Sequence, residues 1–141
     1  MKLYHGTTTY HQKDILTNGL NNPYLTDSED LAMYYAEMES EEKGGTPILL
    51  AVSVNETSLE YDRFSIEEPV SYDDFSISDL EERRDNMWNE QAEIHPEWMK
   101  GEYIIIPKEC YQLSLETVGS CRYNGLIQPN DIDLVSSNTA Q

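Results

Sequence analysis

Positive charge is scarce in this chain: nine Lys and Arg stand against 27 Asp and Glu among 141 residues, a formal net charge of −18. Polyphosphate partners are gripped mainly by Lys and Arg, so we expect no direct nucleic acid and no membrane surface as partners. Long apolar runs are also missing. Ile48 to Val54 is the longest apolar-rich stretch, far too short to span a bilayer, and the first twenty residues hold no apolar core of signal-peptide type. A cytoplasmic location is expected. Cysteine is limited to Cys110 and Cys121, which form no C-x-x-C and lie far from any His cluster, so reduced, mostly buried thiols and no metal are expected. The sequence also lacks G-x-G-x-x-G, the P-loop, G-x-S-x-G and H-E-x-x-H, so any chemistry must rest on another constellation.

What is present is enough for one folded domain. A chain of this length buries roughly two thirds of its unfolded surface around a single core, and ten Tyr with two Trp and two Phe supply the aromatic surface for it. We expect one domain over residues 1–135, an acidic insertion over 55–99 and a frayed tail over 136–141. The insertion carries the charge asymmetry: Glu56 to Glu93 holds 13 acids against Arg63, Arg83 and Arg84, a net of −10.

Periodicity and punctuation place the elements. Lys2 to His5 reads as a strand, Tyr10 to Thr17 as a helix stopped at Asn18-Gly19, and Tyr24 to Thr26 as extended. Asp27 or Ser28 can cap a helix whose Leu31, Ala32, Tyr35, Ala36 and Met38 share a buried face. Ile48 to Val54, apolar on both faces at its start, reads as a central strand. Ser78 to Glu81 resembles a capping box opening a helix with Leu80, Met87, Trp88 and Ile94 toward the core, ended before Pro96. Glu102 to Ile106, Tyr111 to Glu116 and Ile132 to Val135 read as further strands.

Polar residues at strand ends are the candidates for chemistry, because a rigid scaffold there presents side chains to a cleft: His5-Gly6-Thr7, Tyr24 and Glu102. Leu3-Tyr4-His5-Gly6-Thr7 with Ile15-Leu16 and Gly19-Leu20 resembles the first motif of ADP-ribosyltransferases of the H-Y-E class, the diphtheria-toxin and poly(ADP-ribose) polymerase branch. Tyr24-Leu25-Thr26 followed by Ala32-x-x-Tyr35-Ala36, with the tyrosines 11 positions apart, is similar to the second motif. Gly101-Glu102-Tyr103-Ile104-Ile105-Ile106 is similar to the third, a Glu opening a strand.

The resemblance covers roughly residues 2–106 and implies an α+β fold, a split β-sheet with short flanking helices, with NAD+ as substrate. It assigns NAD+ contacts to His5, Gly6, Thr7, Tyr24 and Tyr35, and catalysis to Glu102, His5 and Tyr24. His5 would bond the adenosine ribose, the Gly6 backbone would hold the carboxamide, and the tyrosines would enclose the nicotinamide. Glu102 would accept a hydrogen bond from the adjacent ribose 2′-hydroxyl, an interaction that strengthens as C1′ gains oxocarbenium character. The glycine fits a close ligand approach that leaves no room for a Cβ. Lys100 stands where arginine-modifying relatives carry Glu or Gln, so that acceptor is disfavoured, and the chain lacks room for the regulatory helical domain of polymer-forming enzymes.

Single transfers to a protein acceptor, with a basic nucleic-acid-binding protein as one candidate, are therefore expected, as in phage or bacterial effectors that include anti-CRISPR transferases. NAD+ hydrolysis and a non-enzymatic acidic decoy are the alternatives. RNA 2′-phosphotransferases share the implied fold but need arginines that are sparse here. Arg63, Lys2 and Arg122 are the cations to inspect for pyrophosphate contact.

Overall fold

A computed structural model describes residues 1–135; the expected tail over 136–141 lies outside the described residues. The architecture is mixed α+β with antiparallel strand pairing. Six strands form the main sheet: β1 (Lys2–Thr8), β3 (Tyr24–Thr26), β4 (Pro47–Ser53), β5 (Leu59–Glu60), β8 (Ser120–Tyr123) and β10 (Ile132–Leu134), in the order β10-β4-β1-β3-β8-β5. Two small ladders join β2 (Leu20–Asn21) to β9 (Leu126–Ile127) and β6 (Met99–Lys100) to β7 (Tyr103–Ile104). The helices are α1 (Thr9–Asn18), α2 (Glu29–Lys43), α3 (Arg63–Glu67), α4 (Ile77–Ile94) and α5 (Tyr111–Val118).

Local chemistry sets the helix ends. Thr8, Ser28 and Asp62 each turn a side-chain oxygen onto a free N–H at the start of α1, α2 and α3. Ser76 and Asp79 form a reciprocal capping box on α4, two residues upstream of the expected one. Gly19 and Gly44, both at positive φ, end α1 and α2.

The main core lies on one face of the sheet, where Leu3, Leu25, Leu50 and Val52 are closed off by Ile15 of α1 and by Tyr111 and Leu115 of α5. Burying each such side chain contributes about 1.5–3 kcal/mol. Cys121 is buried in the same cluster, and its burial pushes the thiol pKa up to about 12, so it stays protonated and inert. Cys110, half-buried, is also a free thiol.

Four expectations are corrected. Tyr111 to Glu116 is helical: the apolar residues at 111, 113 and 115 mimic alternation, but the buried set Tyr111, Ser114, Leu115 and Val118 follows the i, i+3, i+4, i+7 spacing of a helix. Glu102 to Ile106 is not one strand, because Gly101 at φ 64° turns the chain between β6 and β7 and the pairing ends at Ile104. Ile94, at the last turn of α4, is exposed, as is Met38 on α2.

The fourth concerns Gly6. A Cβ there would lie 1.7 Å from the Ala32 carbonyl oxygen and 3.0 Å from the Ala36 nitrogen. The missing side chain therefore makes room for α2, not for a ligand. Gly6→Ala must push α2 off β1, and we expect a loss of about 1–3 kcal/mol or more, read as a lower denaturant midpoint at unchanged slope. A midpoint equal to that of the wild type would show that the helix yields freely.

Candidate functional site

The strand pattern opens a cleft beside β1. Val54 N–H donates to Met1 O at 2.9 Å and the Met1 ammonium donates to Val54 O at 3.2 Å, and Thr9 N–H donates to Thr46 O at 2.9 Å. Antiparallel bonding alternates along a strand, so odd-numbered residues of β1 bond to β4, while Tyr4 and Gly6 turn their N–H and C=O to the opposite edge. Tyr4 meets Thr26 of β3, and the pairing between these strands has no further step. Beyond it the strands part, and the Gly6 amide and carbonyl face the gap.

A cavity of about 310 Å³ fills that gap, within the size range of small-molecule sites. It brings together His5, Gly6 and Thr7 from β1, Tyr24 from β3 and Tyr35 from α2, five residues singled out from the sequence. Ser65 of α3 and Ser120 of β8 also line it, with Phe64 exposed at its margin and Glu39 and Glu42 contributed by α2.

His5 Nδ1 lies 2.9 Å from the Tyr24 carbonyl oxygen. A carbonyl can only accept, so Nδ1 carries the proton and Nε2 of the neutral ring is a bare acceptor. Burial lowers the His5 pKa, and nearby His11 adds to the lowering. The bond to Tyr24 and the charge of Glu39 oppose it but do not win. Glu39 itself is held by His11 Nε2 at 2.9 Å.

The two tyrosines differ. Tyr24 is exposed, and the Arg122 guanidinium lies 5.0 Å from its ring centroid on the neighbouring strand. Tyr35 is half-buried against Leu31, Tyr72 and Leu80, and burial raises its pKa. The Tyr35 ring is thus fixed by packing on one side while it borders the cavity on the other.

Glu102 is not brought to this cavity. It stands at the exposed tip of the β6–β7 hairpin and lines a second cavity of about 420 Å³ with Tyr61, Arg63, Trp88 and Tyr103. The two cavities share no lining residue; α3 contributes Phe64 and Ser65 to one and Arg63 and Glu67 to the other. The reason lies in the turn: Gly101-Glu102 reverses the chain, where a strand-opening Glu would need extended backbone continuing into the main sheet.

Of the three cations to inspect, Arg63 is ion-paired with Glu67 at 2.8 Å and Lys2 lies over the Tyr4 ring. Arg122 is stacked on Tyr24 and has a buried Nε without a hydrogen-bond partner. Among the described residues no group of three or more His, Cys, Asp or Glu is arranged to hold a metal ion, and no helix is long and apolar enough to cross a membrane.

The sequence reading missed Ser65, Ser120 and Asp62. The signal available was the Asp62-x-x-Ser65 helix cap; nothing local marked Ser120.

A neutral His5 with a downshifted pKa is directly measurable. In an NMR titration the His5 ring should show the Nδ1–H tautomer at pH 7 and a midpoint below 6.5, its ordinary value. A midpoint at or above 6.5 would mean that the bond to Tyr24 and the charge of Glu39 together outweigh burial. No family model, curated protein or solved structure matches the chain.

Proposed function

We propose that this protein is an ADP-ribosyltransferase with a split-sheet fold that takes NAD+ into the cavity beside β1 and passes single ADP-ribose units to a protein acceptor. The observation that carries the reading is the convergence of His5, Gly6, Thr7, Tyr24 and Tyr35 on one cavity. The Gly6 N–H and C=O, directed into the gap, form the donor–acceptor pair that a carboxamide needs. His5 Nε2 can accept from a ribose hydroxyl, and the Tyr35 ring offers its face to a cationic pyridinium, an attraction of about 0.5–2 kcal/mol. Tyr24 already has Arg122 over its ring, which suits packing against an uncharged ribose better than against a second cation. Of the three cations, Arg122, stacked on Tyr24 though not itself in the cavity lining, is the one we assign to the pyrophosphate.

In the reaction the bond from C1′ to the nicotinamide nitrogen breaks and its electron pair leaves with neutral nicotinamide. The acceptor nucleophile bonds to C1′ and releases a proton to solvent; water in that role gives free ADP-ribose. Glu102 has no part in this step, since it lines the other cavity.

The acidic insertion supports a basic protein as acceptor. Glu81, Glu82, Glu90 and Glu93 of α4 are exposed, while the exposed Asp85 is ion-paired with Arg84 Nε at 3.1 Å. The arginines beside them turn inward: Arg83 stacks on Phe75 and donates to the Glu116 carbonyl, and Arg84 stacks on Trp88 and reaches the Ile66 and Glu67 carbonyls at 3.4 Å. The outward field is left negative, which speeds encounter with a cationic partner. The same field is what a non-enzymatic acidic decoy would use.

Incubation with labelled NAD+ and a lysate, with nicotinamide release measured in parallel, tests the reading. We expect Tyr35→Ala to raise KM roughly two- to thirtyfold and Glu102→Gln to leave nicotinamide release within about twofold. Labelled protein identifies transfer; free ADP-ribose alone identifies hydrolysis. Absence of nicotinamide release, of heat on titration with NAD+ and of competition by nicotinamide would overturn the proposal, and inhibition of a target that survives Tyr35→Ala would favour the decoy.

A further inference from the structure

Beneath the cavity floor lies Asp62, wholly buried. Its carboxylate accepts from Ser65 N–H at 3.0 Å, from Ser65 Oγ at 2.6 Å and from Ser120 Oγ at 2.7 Å. Neither Lys nor Arg forms an ion pair with it among the described residues, so donors such as these are what keep a charged carboxylate there. Its backbone N–H is committed as well, to Ser114 Oγ at 2.9 Å.

The consequence is directional. A serine hydroxyl has one proton and two lone pairs. Ser65 and Ser120 both spend that proton on Asp62, and both line the cavity. Toward the cavity they can therefore only accept. A free serine could donate or accept; Asp62 removes the choice at two positions on different elements, and its negative charge, one hydrogen bond away, strengthens each acceptor. A phosphate, which brings only acceptors at neutral pH, is mismatched to this wall, whereas a sugar hydroxyl brings the donor the wall lacks.

On this basis, and resting on the NAD+ reading above, we propose that the hydroxyls of Ser65 and Ser120, oriented by Asp62, accept hydrogen bonds from the hydroxyls of the nicotinamide-side ribose. Asp62 is the positioning residue that fixes the polarity of this wall, and the two serines take the place in ribose recognition that the family resemblance assigns to Glu102.

An N-cap holding α3 to β8 would use the same bonds for structure alone, so the test compares ligands that differ in the ribose. Binding of NAD+, of NAD+ lacking the 2′-hydroxyl on the nicotinamide side, and of nicotinamide itself is titrated calorimetrically against wild type, Ser65→Ala, Ser120→Ala and Asp62→Asn. Asn caps a helix as well as Asp does, but with its oxygen kept on the Ser65 N–H its amide nitrogen replaces Oδ2, the oxygen that accepts from both serines, so both hydroxyls must turn their protons away from it. We expect Ser120→Ala or Ser65→Ala to weaken NAD+ about five- to twentyfold, Asp62→Asn to weaken it at least tenfold, and all three to leave nicotinamide within about twofold. For the serine whose bond goes to the 2′-hydroxyl, the loss should vanish against the deoxy ligand. Equal weakening of NAD+ and nicotinamide would assign the cluster to structure and overturn the inference. So would unchanged NAD+ affinity in both serine variants, an outcome that leaves the NAD+ reading standing. No binding of NAD+ by the wild type would remove that reading and this one together. Should Asp62→Asn melt before the titration, the two serine variants decide alone.

Discussion

Helix α2 is seated against β1 at backbone distance, with Ala32 and Ala36 directly over Gly6. Gly6 permits it, since a Cβ at that position would stand 1.7 Å from the Ala32 carbonyl oxygen. With the helix pressed against the strand, Tyr35 on its next turn is carried to the edge of the gap between β1 and β3. That gap exists because strand pairing stops at Tyr4 and Thr26. Backbone groups that would have joined Gly6 to the next strand face the gap instead. The His5 ring occupies part of the same opening, bonded to a Tyr24 carbonyl.

Electrostatics follow the same division of labour. Close to the cavity, charge is controlled: His5 is kept neutral by burial, Glu39 is held by His11, and Asp62 is enclosed by hydroxyl and amide donors. Away from it, along α4, acids are exposed and the arginines among them are drawn back onto carbonyls and aromatic rings. A cationic substrate ring and a basic acceptor would both respond to such a distribution, one by short-range contact and the other by steering over roughly a Debye length.

Much of the framework was legible because it rests on local rules. Ile48 to Val54 carries a run of buried residues and forms the long strand β4, and Ser28, the Gly19 stop and the Leu31-Ala32-Ala36 face place α1 and α2 within a residue or two. Tyr111 to Glu116 is not the expected strand because α5 (Tyr111–Val118), with apolar side chains at 111, 113, 115 and 118, satisfies both periods in part; packing of Leu115 and Tyr111 against the sheet, which no local pattern contains, decides for the helix. The His-Gly-Thr and two-tyrosine stretches were legible as cavity residues because each lies on an element whose position is fixed by nearby sequence. Glu102 was not, for the opposite reason: its motif is satisfied by any Gly-Glu before apolar residues, and a hairpin turn satisfies it as readily as a strand.

The carboxylate that does lie under the cavity could not have been found by a motif. Asp62 and Ser120 are 58 residues apart and meet only because the N-cap of α3 is set beside the first residue of β8. From sequence, Asp62 reads as one acid among thirteen in a solvated stretch. In the fold it differs from its exposed neighbours on that stretch in being buried, and burial changes its physical role. An exposed acid contributes to a diffuse field that salt screens. A buried one must be satisfied by specific donors, and those donors lose their freedom to point elsewhere. Charge held below the floor thus sets the hydrogen-bonding polarity of the floor itself.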